Sequence, residues 1–101
     1  MNNSLISQVV SSLTMMAHKT SKEINSKTGV ENLFFYSDKS EEEWIRLNFQ
    51  TCNGKDRVII QWSRTVFIED DTRSMVCSRE LKDWSDYIVI LTVAKSGICF
   101  T

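Results

Sequence analysis

Apolar and polar positions change their period along this chain, and each change marks an element. From residue 4 to about residue 25, Leu5, Ile6, Val9, Val10, Leu13, Met16, Ala17 and Ile24 recur at helical spacing. At about 100° per residue they share an arc of roughly 140°, while Ser7, Ser11, Thr14, His18 and Lys22 take the other side. The pattern predicts one amphipathic helix laid on a sheet, with Ser4 as its N-cap and Gly29 soon after its end.

The period then becomes two. Residues 32–37, rich in aromatic side chains, read as a first strand. From Glu43 to Cys52, Ile45, Leu47 and Phe49 alternate with Arg46, Asn48 and Gln50, the mark of a half-buried strand. Asn53-Gly54 follows, a pair suited to a type I′ turn. Residues 57–68 supply the returning strand, with Val58, Ile60 and Trp62 turned inward. A two-residue turn makes Cys52 face Lys55. It then pairs Phe49 with Val58, Leu47 with Ile60 and Ile45 with Trp62 on one face, and Arg46 with Gln61 and Trp44 with Ser63 on the other. Apolar meets apolar and polar largely meets polar, as a sheet with one buried face requires.

Beyond the hairpin, residues 69–76 read as a charged loop and residues 78–84 as a short helix capped by Ser78. Residues 87–93 read as a central strand apolar on both sides, residues 95–97 as a turn and residues 98–100 as a last short strand. The expected architecture is one α+β domain over residues 1–101. Its N-terminal amphipathic helix packs on a mainly antiparallel four- to five-stranded sheet, in the order α-β-β-β-(α)-β-(β). A sheet that is apolar on part of its second face must cover it, with a dimer interface or a binding partner. This order of elements is similar to that of small secretion chaperones and of several bacterial or phage inhibitor proteins.

Composition narrows the function classes. The 101 residues are 42% hydrophobic and 25% charged, enough to bury a core without staples. Twelve basic and 13 acidic side chains leave a net charge of −1, which argues against a general nucleic-acid binder. Cys52, Cys77 and Cys99 are odd in number and show no CxxC spacing, so they are expected to be small buried apolar residues with free thiols in a reducing compartment. His18, the only histidine, falls on the polar side of the predicted helix, where a solvated imidazole is expected. No basic leader and no apolar run near the ~18 residues of a membrane span are visible, so a cytoplasmic location away from membranes is expected. Scattered glycines and the lack of any nucleophile, zinc or phosphate-loop motif predict no enzyme, no metal and no cofactor.

Two acidic runs, Glu41-Glu42-Glu43 and Glu69-Asp70-Asp71, are distant in sequence, but the hairpin register brings them together. Glu43 would face Arg64 and Glu41 would face Val66, so both runs emerge at one end of the ribbon, with Asp38 nearby. Lys39, Arg64 and Arg73 offset part of that charge. Trp44 falls by parity on the polar face beside this end, where an aromatic ring suits an interface anchor. The candidate partner-binding residues are therefore Glu41, Glu42, Glu43, Trp44, Glu69, Asp70 and Asp71. They point to a non-enzymatic protein-binding module of the inhibitor, immunity or anti-defence type, presenting an acidic hairpin end to a basic partner. An alternative is a homodimeric, secretion-chaperone-like or adaptor protein whose second sheet face binds an extended segment. A less favoured one is a single-stranded nucleic-acid platform built on Phe34, Phe35, Tyr36, Trp44, Trp62, Phe67 and Trp84, with Arg46, Arg57 and Arg64 as the cations.

Overall fold

A computed structural model describes residues 3–37, 43–66 and 71–97. Helix α1 (Asn3–Met16) leads into five strands, β1 (Lys19–Ile24), β2 (Glu31–Tyr36), β3 (Trp44–Cys52), β4 (Lys55–Val66) and β5 (Asp71–Glu80), and helix α2 (Trp84–Gly97) follows. The strands form one antiparallel meander in sequence order. The expected class, a helix packed on an antiparallel sheet, is the observed one.

The central hairpin has the register read from the sequence, pair for pair from Trp44↔Ser63 to Cys52↔Lys55. Asn53 and Gly54 both sit at positive φ, 54° and 73°, as a type I′ turn needs. Parity then sends Phe35, Ile45, Leu47, Val58 and Ile60 to one face, where all are buried. Val9 and Leu13 of α1 and Tyr87, Ile90 and Ala94 of α2 join them in a single core cluster. Both helices therefore cover the same face, α1 and α2 side by side and α2 also against β4. Each large apolar side chain fully buried here contributes about 1.5–3 kcal/mol of transfer free energy.

Two elements differ from the sequence reading. The predicted helix to residue 25 ends at Met16: Ala17 still donates to the Leu13 carbonyl, but the His18 N–H donates to Tyr36 O and the chain enters the sheet. Residues 18–24 carry a single apolar side chain, Ile24, so a longer helix would have buried almost nothing with its last two turns. As β1 the same residues satisfy the outer edge of β2, whose backbone groups would otherwise lack partners. All six residues of β1 are exposed, and its lysines and glutamate suit an edge strand. The turn to β2 is held by Asn25, whose side-chain oxygen accepts from Lys27 N and Thr28 N, and by Gly29 at φ 73°.

The second difference is at the C-terminal side. Residues 87–93, expected as a strand, lie inside α2, while the segment expected as a charged loop and then a short helix contributes β5 and the approach to α2. A short continuous apolar run fits a buried helix or a buried strand equally well, and the caps decide. Asp83 is the N-cap: its Oδ1 accepts from Ser85 N at 3.0 Å. Asp86, three residues on, reaches back to accept from Asp83 N and Lys82 N, which completes a capping box. Arg79, near the end of β5, closes on the same carboxylate at 2.7 Å and ties the helix start to the sheet. Strand β5 forms because β4 offers a free edge, and it pairs with β4 along its whole length. The predicted last strand, residues 98–100, lies outside the described residues.

These contacts yield two predictions. Replacing Leu47, fully buried at the sheet centre, by Ala should cost about 2–5 kcal/mol in urea unfolding, whereas Ile24→Ala on the exposed edge should stay within about 0.5 kcal/mol. Hydrogen bonds from Lys82 N, the Arg79 guanidinium and Asp83 N, in that order, hold the Asp86 carboxyl below the usual carboxylate range. Its folded pKa is therefore lower than its unfolded one, so its contribution is present above about pH 4 and fades as pH falls through the folded value. Asp86→Asn should lower the unfolding midpoint at pH 7 and flatten its acid limb between pH 5 and pH 2; an unchanged acid limb would contradict this role.

Candidate functional site

The face of the sheet turned away from the helices carries the alternate residues: Lys19, Ser21 and Glu23 on β1, Asn32, Phe34 and Tyr36 on β2, Trp44, Arg46, Asn48 and Gln50 on β3, and Arg57, Ile59, Gln61 and Ser63 on β4. Both helices pack on the other side of the sheet, in the core cluster.

At one end of the face three rings meet. Tyr36 and Trp44 are direct cross-strand partners, and Phe34 lies diagonal to Trp44. Phe34 stacks on Tyr36 with centroids 6.2 Å apart and meets Trp44 edge-on at 5.6 Å. Such pairs are worth about 0.5–1.5 kcal/mol beyond their burial. The Lys19 ammonium sits 4.9 Å from the Tyr36 ring centroid, a cation–π contact that caps the cluster from the edge strand. All three rings are half-buried.

Toward the middle of the face the rings give way to a polar ladder. Arg46 donates through Nε to Gln61 Oε1 and through Nη1 to Asn32 Oδ1, both at 2.9 Å. Asn48 Nδ2 donates to the same Asn32 oxygen at 2.8 Å. That geometry spreads a planar guanidinium over three strands and locks its orientation. Asn48 itself is buried, and its Oδ1 has no hydrogen-bond partner among the described residues. Arg57 continues the row and donates to Ser78 Oγ at 3.0 Å.

The sequence-derived candidates divide around this face. Trp44 lies where parity placed it. Glu43 is buried at the entrance to β3, and its carbonyl accepts from Ser37 N, so its side chain is not part of an open acidic surface. Asp71 opens β5 opposite Val66. Glu41, Glu42, Glu69 and Asp70 lie outside the described residues. The strand ends that flank them, Tyr36 and Trp44 on one side and Val66 and Asp71 on the other, fall at the same end of the sheet as the aromatic cluster.

Of the aromatic platform residues, Phe35 and Trp62 have core parity, Trp84 opens α2 on the helical side, and Phe67 lies outside the described residues. Cys52, expected as a buried thiol, is exposed and free beside the Asn53-Gly54 turn. His18 is exposed, as expected, but follows α1 instead of lying within a helix. The sequence pairs Arg46 with Gln61 and puts Asn48 on the same face, but its reading passed over Lys19, placed in the helix, and Asn32, which joins Arg46 and Asn48 from β2. The available signal for the ladder was amide and guanidinium side chains at matching parity on neighbouring strands.

Among the described residues no group of three or more His, Cys, Asp or Glu side chains is placed to hold a metal ion, and no helix is long and apolar enough to cross a membrane. No family model, curated protein or solved structure matches the chain.

A buried acceptor without a donor lowers stability by about 1–3 kcal/mol, more than the single Asn48–Asn32 hydrogen bond returns. Asn48→Leu, which removes the orphan oxygen and sets an apolar side chain opposite Ile59, should raise stability by about 1 kcal/mol in urea unfolding. A loss of similar size would show that the oxygen is satisfied in solution.

Proposed function

We propose that the chain is a non-enzymatic protein-binding module that seats a partner on the aromatic end of the sheet face opposite the helices and presents the acid-bearing connections beside it to a basic region of that partner. The observation that carries this reading is the contiguous Phe34–Tyr36–Trp44 cluster, left open by both helices at the end of the sheet from which the acid-bearing connections depart. Aromatic rings give a partner apolar area at low entropic cost, and flanking carboxylates steer a cationic surface toward them. The Arg46 ladder fits the same role, because its fixed donors and acceptors set the orientation of whatever lies on the rings. The unpaired Asn48 oxygen adds support: stability forgone on an open face is characteristic of a surface shaped by binding. An inhibitor or immunity role and a reducing, cytoplasmic setting belong to this reading, the latter in keeping with the free, exposed Cys52.

A photo-crosslinking phenylalanine in place of Tyr36, expressed in the native cell, should form a discrete adduct with another protein. Trp44→Ala should weaken that complex about thirtyfold, the size of a 2 kcal/mol hot spot. Replacing Glu41, Glu42, Glu69 and Asp70 by Lys should lower adduct yield at low salt. A chain that gives no adduct at Tyr36, or an adduct indifferent to both changes, does not use this face.

A further inference from the structure

Arg46 is half-buried on the sheet face opposite the helices, between Asn32 on β2 and Gln61 on β4. Both of its partners are neutral amides, and no carboxylate pairs with it among the described residues. Glu23 stands on the edge strand opposite Asn32, with that amide between it and the guanidinium. The neighbouring cations are placed differently: Lys19 lies over the Tyr36 ring, and Arg57 is the cross-strand partner of Glu80. An arginine carries five N–H donors, and the two amides take one on Nε and one on Nη1. Both nitrogens at the tip of the fork therefore still have a donor to give. The two bonds, one to each flanking strand, fix where that tip points.

The same guanidinium orients the amides around it. It has no acceptor, so Asn32 turns its oxygen toward Arg46, and that oxygen in turn draws Asn48 Nδ2. Asn48 Oδ1 is thereby left facing away, without a donor among the described residues, on a residue only 4% exposed. Flipping the Asn48 amide brings no relief, because it would set two oxygens against each other. The fork and this acceptor are close neighbours. Arg46 Nη1 and Asn48 Nδ2 bond one oxygen, at 2.9 and 2.8 Å, and so lie within about 6 Å of each other.

We propose that the tip of Arg46 is a carboxylate site, and that its occupant is an Asp or Glu on a segment of the protein partner. This rests on the protein-binding reading above and names the group that such a partner lays beside the rings. Charge complementarity selects it: a planar cation without a counter-ion matches a planar monoanion, which it can hold bidentately. A nucleic-acid strand brings a phosphate with every nucleotide and would need a cation for each, beside connections that carry acid. The orphan acceptor separates a peptide from a free organic acid, since only the peptide carries backbone N–H donors behind its carboxylate. A seat already locked by two hydrogen bonds also lowers the entropic cost of binding. The partner is then basic where it meets the acid-bearing connections. It places one carboxylate farther in, about 7 Å along β3 from Trp44.

NMR on the full chain reads the site through the side-chain N–H resonances of Asn48 and Trp44. The probes are N-acetyl-glutamate methylamide, its glutamine counterpart and inorganic phosphate, at equal ionic strength. The glutamate probe should shift these resonances with half-saturation below about 0.1 M, at least tenfold tighter than the glutamine probe and no weaker than phosphate. Arg46→Lys, which keeps the charge but not the fork, should weaken the glutamate probe at least tenfold. So should Gln61→Glu, which leaves the guanidinium in place and hands it a carboxylate of its own; this variant decides the matter where Arg46→Lys does not fold. Both changes should lower the yield of the Tyr36 adduct at least fivefold. If no adduct forms at Tyr36, the protein-binding reading falls and this proposal with it. If the adduct forms and both variants leave its yield unchanged, or if the glutamine probe binds as well as the glutamate one, the carboxylate site alone is overturned. An adduct between two copies of the chain, or one that ribonuclease removes, names another occupant and overturns it too.

Discussion

Asn53 and Gly54 close the β3–β4 hairpin with both residues at positive φ, and almost every later placement in the molecule depends on that turn. Side chains alternate along a strand, so a register shift of one residue would carry Ile45, Leu47, Val58 and Ile60 out of the core and bring Arg46, Asn48 and Gln61 into it. No packing could repair that exchange, because charged and amide groups would lose water without gaining partners. The turn therefore fixes more than a loop. It decides which face recruits the two helices and which is left for something else. The outer strands inherit the decision through their own pairings, Phe35 with Ile45 on one side and Ile60 with Cys77 on the other.

This explains why the hairpin was legible in the sequence and the flanking elements less so. The alternation from Ile45 to Phe49, the Asn-Gly pair and the second alternation from Val58 to Trp62 agree with one another, and one register satisfies all three. Residues 18–24 carry no comparable internal agreement. Their strand exists because β2 needs an outer neighbour, a tertiary demand that local pattern does not express. The run from Tyr87 to Val93 is apolar at nearly every position, so its period is invisible. The Asp83–Asp86 capping box is the local feature that settles it, and it lies upstream of the run. Once the segment is a helix, its two-sided apolarity has another meaning. It no longer describes a central strand covered on both faces but a helix with a core side and an outer ridge at Trp84 and Ile88.

The candidate site was legible to the same depth as the register. Parity alone placed Trp44, Arg46 and Gln61 on the face opposite the core, and the structure keeps them there. Parity does not report how such a face organises itself. Phe34 and Tyr36 meet Trp44 only because β2 lies beside β3 in the register that pairs Tyr36 with Trp44. Lys19 reaches the cluster only because β1 replaces the last turns of the expected helix. The acidic runs illustrate the converse limit. Their strands converge on one end of the sheet, yet Glu43, read as part of an open acidic surface, is buried where β3 begins. Sequence position identified the end of the sheet, and burial decides which carboxylates can act there.

Ionic groups in this fold are distributed unequally between its surfaces, and the inequality has a physical reading. The open sheet face carries Lys19, Arg46 and Arg57, with Glu23 on the edge strand, whereas α1 has no ionic side chain from Asn3 to Met16. A surface that must choose among other proteins benefits from charge, because misplaced like charges cost several kcal/mol and so reject wrong partners. Because the one core cluster lies between the sheet and the helices, the polar and aromatic groups of the opposite face do not compete for the residues that hold the fold together.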